Sequence, residues 1–67
     1  MPEHIKEVVI LVCTTLWQAE FPRRIHLKRA KATGVDAHSA DCIAVGTTPK
    51  ALGEKEQVAY EFCSALL

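Results

Sequence analysis

Few side chains in this sequence can move protons, attack electrophiles or hold metals, and they are scattered. Cys13, Cys42 and Cys63 are odd in number and far apart, so they suggest no disulfide framework. Each lies among apolar residues, where a reduced thiol behaves as a small hydrophobe. His4, His26 and His38 show no paired spacing with those cysteines, so no metal site is expected. The histidines remain as proton carriers. An imidazole titrates close to neutral pH, and a carboxylate bonded to one ring nitrogen fixes its tautomer. Arg23 and Arg24 stand where the first turn of a helix is expected, one turn before His26. There they oppose the helix dipole, and this unfavourable placement marks them as candidates for binding an anionic substrate. The plain alternative is a solvated basic face. No cofactor is expected.

These groups must be positioned by very little chain. At 67 residues the protein is one domain, and a chain of this size buries only about 60% of its unfolded surface. Apolar residues make up 49% of it, more than so small an interior can hide. A homo-oligomer is therefore the expected partner arrangement, with copies covering part of that surface. The formal net charge is zero, which supplies no general attraction for nucleic acid or an anionic membrane. The apolar run Val8–Cys13 is far short of the roughly 20 residues of a membrane span. With no leader evident either, a cytoplasmic location is expected.

Periodicity points to an all-α fold of four short helices. Ile5, Val8, Val9, Val12 and Leu16 recur at helical spacing, which predicts a first helix from Pro2 to about Glu20. A strand over Val8–Leu16 is the rival, because Val, Ile and Thr favour strands. Pro22 suits the first turn of a second helix, and Gly34 suits the left-handed residue after its last turn. Asp36 is a good N-cap for a third helix over Ala37–Val45, ended by Gly46. A fourth runs from about Gly53 to Leu67. Val58, Phe62 and Leu66 form one apolar line on it, with Ala59, Cys63 and Leu67 beside them. Glu54, Lys55 and Glu56 read as its solvated start.

Taken together, Glu7–Leu11, Ala19-Glu20-Phe21, His26 and Ala30-Lys31-Ala32-Thr33-Gly34-Val35 resemble the carboxymuconolactone decarboxylase and alkylhydroperoxidase-like family. Ile43, Gly46, Pro49, Leu52, Glu56 and Phe62 extend the likeness over nearly the whole chain, which corresponds to the N-terminal part of the usual domain. The resemblance implies an alkylhydroperoxidase-like helical arrangement assembled into trimers or hexamers. It also implies acid–base chemistry on a small-molecule substrate, with Glu7 and His26 as the catalytic pair. Thiol peroxidase activity is not expected. The redox cysteines of the family fall at Ala19 and Pro22, and disulfide exchange requires sulfur as the attacking atom. Where many members without those cysteines carry Tyr-Glu-Trp, this chain has Phe21-Pro22-Arg23. Glu7 and His26 lie on separate helices and meet only if those helices pack antiparallel.

Two other classes fit parts of the sequence. Ala30, Gly34, Val35 and Ile43 match the spacing of a helix-turn-helix, with Arg23, Arg24, Lys28, Arg29 and Lys31 as phosphate contacts. The would-be recognition helix, however, carries Asp36 and Asp41 and no Arg or Lys, so no nucleic-acid partner is expected. The other class is a subunit that keeps the helical scaffold for assembly and performs no chemistry.

Overall fold

A proline ring opens the first element. Pro2 (φ −57°, ψ 146°) precedes α1, Glu3–Leu16, and its carbonyl accepts from Lys6 N at 3.0 Å. The computed structural model describes residues 1–66, in which α2 (Glu20–Ala32), α3 (Ala37–Val45) and α4 (Glu54–Leu66) follow and no strand occurs. Leu67, expected on the inner side of the last helix, lies outside the described residues. The apolar run Val8–Leu16 is helical, so the strand alternative falls.

Three helices stop in the same way. After α2, Gly34 takes φ 109° while Gly34 N and Val35 N donate to Lys31 O and Ala30 O at 3.4 and 3.0 Å. After α3, Gly46 takes φ 84° and Thr47 N reaches back to Cys42 O at 2.8 Å. This is the left-handed stop that glycine makes without steric penalty. At the end of α1 the same pair of bonds forms, Gln18 N to Thr15 O and Ala19 N to Thr14 O at 3.2 and 2.9 Å. There the left-handed residue is Gln18, φ 55°. The first helix therefore ends at Leu16 and not near Glu20. A glutamine in this conformation costs roughly 1 kcal/mol, which the two recovered hydrogen bonds offset.

The N-terminus of α3 follows from its sequence: Asp36 Oδ2 accepts from Ser39 N at 3.0 Å. Pro22 lies in the first turn of α2, where a missing N–H leaves no bond unmade.

α1 is the organising element. It packs against each of the other three helices, α2 also packs against α3, and α4 touches α1 alone among the described residues. The core is Val8, Leu11 and Val12 of α1, Ala30 of α2, Val35, and Ala40, Ile43 and Ala44 of α3. Leu27, Leu52, Tyr60 and Cys63 close over it. The connector to α4 is held by Ala51 N donating to Ser39 Oγ at 2.9 Å, and Pro49 is buried.

α4 presents a different face from the one expected. Val58, Phe62 and Leu66 are 65%, 65% and 70% exposed, while Glu56, Tyr60 and Cys63 point inward. Glu56, expected in solvent, is buried. Trp17 and Phe21 are also largely exposed. Single exposed apolar residues are ordinary, but three in a line on one helix leave a stripe that is largely open among the described residues.

Candidate functional site

Glu7 sits in the middle of α1 and is 1% exposed. A carboxylate there loses its hydration, at a cost of several kcal/mol, unless a partner restores it. The partner comes from α2. The short link Trp17–Ala19 turns the chain back along α1, and His26 Nδ1 comes 2.8 Å from Glu7 Oε1. The His26 side chain is 20% exposed and that of Glu7 2%, so the pair has a dry end and a wet end. An ionised carboxylate only accepts, so Nδ1 is the donor and Nε2 keeps its lone pair. Neither Nε2 nor Glu7 Oε2 carries a hydrogen bond among the described residues. The wet end of the pair is therefore the His26 ring.

The two arginines part company. Arg24 is exposed and its Nη2 lies 3.4 Å from Glu20 Oε1, one helical turn back. Arg23 is half-buried, and three residues before His26 it shares that residue's side of α2. An ion pair between Lys31 Nζ and Asp41 Oδ1, 2.8 Å, ties α2 to α3 on the surface.

A second histidine–carboxylate contact was not anticipated. His4 Nδ1 is 2.6 Å from Glu56 Oε2, and Glu56 Oε1 accepts from Gly53 N at 2.9 Å. Glu56 thus caps its own helix backwards, as the carboxylate of a capping box does, while gripping the start of α1. The Gly53-to-Glu56 spacing carried that signal. The pairing with His4, 52 residues away, had none.

The cysteines show no partnered chemistry. Cys13, Cys42 and Cys63 are half-buried free thiols. Burial, and then the neighbouring Cys13, push the Cys63 thiol up from its ordinary value, which favours the unreactive protonated form. No helix among the described residues is long and apolar enough to cross a membrane, and no group of three or more potential ligands gathers there to hold a metal. Set against known family models, curated proteins and solved structures, the chain finds no match.

Proposed function

We propose that this chain is a carboxymuconolactone decarboxylase-like, cofactor-free acid–base protein acting on a small carboxylated substrate through Glu7 and His26. The observation that carries the proposal is the 2.8 Å bond between a fully buried carboxylate and an imidazole whose other nitrogen stays free. Loss of carbon dioxide from a carboxylated lactone leaves an electron pair on carbon, delocalised into the ring carbonyl. The His26 ring, once Nε2 has taken a proton from water, donates that proton to the carbon and returns to its neutral form. Glu7 holds the ring in place through Nδ1. Arg23, on the same side of α2, supplies a cation for the substrate carboxylate.

Incubation with a carboxylated γ-lactone, followed by carbon dioxide release and deuterium uptake at the former carboxyl-bearing carbon, tests the proposal. Turnover by the parent chain and its loss in Glu7→Gln and His26→Gln are expected. Turnover that persists in both variants would refute the proposed roles.

A second proposal rests on a different observation, the bare line Val58, Phe62 and Leu66. Burying each fully would gain about 1.5–3 kcal/mol, so a trimer or hexamer that covers the line would be favoured, with or without chemistry. Light scattering tests it. A monomer across the working concentration range would rule it out.

A further inference from the structure

The formal net charge of zero conceals a division of charge along the chain. Of its eight Lys and Arg residues, five lie on α2, namely Arg23, Arg24, Lys28, Arg29 and Lys31, and Glu20 is that helix's single acidic residue. Five cations against one anion leave α2 at +4, and three against seven leave the rest of the chain at −4. The helix packs on α1 and α3, with Leu27 and Ala30 against the core and His26 on Glu7. Its opposite side is bare. Phe21 and Ile25, one turn apart, are both exposed, Phe21 by 74%, and Arg24, Lys28 and Arg29 are exposed around them. At 3.6 residues per turn, Phe21 and Ile25 fall between Arg24 on one shoulder and Arg29 on the other, within an arc of roughly 140°. Trp17, also exposed, lies in the link that leads into the helix. Arg24 has only a long contact, 3.4 Å, with Glu20. Lys28 and Arg29 enter no ion pair among the described residues.

We propose that this outer face of α2 docks on an anionic lipid surface. An apolar centre with cations on both shoulders is the composition of a helix that lies in the plane of a membrane. Phe21 and Ile25 enter the boundary between headgroups and acyl chains. The stems of Arg24, Lys28 and Arg29 run beside them and carry the charged heads to the lipid phosphates and carboxylates. Ile25 argues against nucleic acid, whose bases stack on aromatic rings and gain little from an aliphatic side chain. The charge argues against a second copy, because two such faces meeting across a twofold axis would set cation against cation. His26 and Ala30 point to the other side of the helix, so the proposal does not rest on the role of the Glu7–His26 pair.

Vesicles of phosphatidylcholine, alone or mixed with phosphatidylserine, test the full chain by co-sedimentation and by the fluorescence of Trp17, its single tryptophan. The chain should sediment with the mixed vesicles and not with the neutral ones, with a blue shift of Trp17 emission as it leaves water. Raised salt should release it. Phe21→Ser should weaken partition about tenfold through lost apolar burial, and Lys28→Glu at least fivefold through lost attraction. Both side chains are exposed, so circular dichroism should show the helices unchanged in each variant. Lys55→Glu alters the net charge equally but sits on α4, and should leave partition as it was. Equal partition into both kinds of vesicle, Trp17 emission that anionic vesicles do not move, or equal losses in Lys55→Glu and Lys28→Glu would each overturn the proposal. So would tighter binding to a single-stranded oligonucleotide than to the mixed vesicles, or a mass by light scattering that falls in Phe21→Ser, which would give the face to nucleic acid or to a second copy.

Discussion

Two histidine–glutamate pairs flank the first half of α1, built from the same atoms and set in different surroundings. In both, a ring Nδ1 meets a buried carboxylate from another helix. Glu56 gives its second oxygen to Gly53 N–H, and its histidine side chain is 39% exposed. Both oxygens of that carboxylate are occupied in holding backbone and helix in place. Among the described residues Glu7 has His26 as its one side-chain partner, and His26 is the better covered ring at 20%. A carboxylate with all its bonds satisfied fastens structure. One that is buried and singly bonded, to an imidazole that itself reaches solvent, has capacity left for a reacting molecule. Surroundings separate the two roles, since residue type does not.

The largest effect that would sharpen this contrast is on turnover. Glu7→Gln and His26→Gln should lower the rate of lactone decarboxylation about 10²- to 10⁴-fold, the usual worth of a positioned acid–base group. Glu56→Gln and His4→Gln should leave it within about threefold, because neither touches the proposed substrate. Equal losses in all four would dissolve the distinction. Stability comes next. His26→Ala strands a buried carboxylate and should cost about 3 kcal/mol in urea unfolding, a large share of what a domain this small possesses. His4→Ala leaves Glu56 its backbone bond and removes a ring that is partly in solvent, so it should cost less than about 1 kcal/mol.

The smallest effect lies at alkaline pH. Burial and Cys13 hold the Cys63 thiol protonated to a higher pH than an ordinary thiol. The unfolded chain gives up that proton first, so the native state binds more protons in this interval. Stability should be complete below about pH 9 and decline as pH climbs through the higher native value. Cys63→Ser should flatten that decline in melts taken between pH 8 and 11.

Much of this fold was legible because its signals are local. Asp36 ahead of Ala37, Gly34 and Gly46 past their helices, and Pro22 in a first turn each act within a few residues. Gln18 does glycine's work at the end of α1, and nothing in a glutamine announces a left-handed backbone. The orientation of α4 was hidden for another reason. Periodicity reveals that a helix has apolar lines, and α4 has two, one through Val58 and Phe62 and one through Tyr60 and Cys63. The side that turns inward is fixed by Glu56 reaching His4, a contact between distant residues that no periodic pattern encodes. Of the Glu7–His26 pair, the sequence offered the residue types and a family likeness. Their 2.8 Å separation required the turn at Gln18.

Because α4 leans on a single neighbour, it can come away by surrendering one interface, whereas freeing α2 or α3 breaks two. The least costly partial opening of this molecule therefore swings α4 outward from the connector around Pro49. Its amides should be the first in the interior to exchange with solvent, and the surface it uncovers is the core that Tyr60 and Cys63 close over.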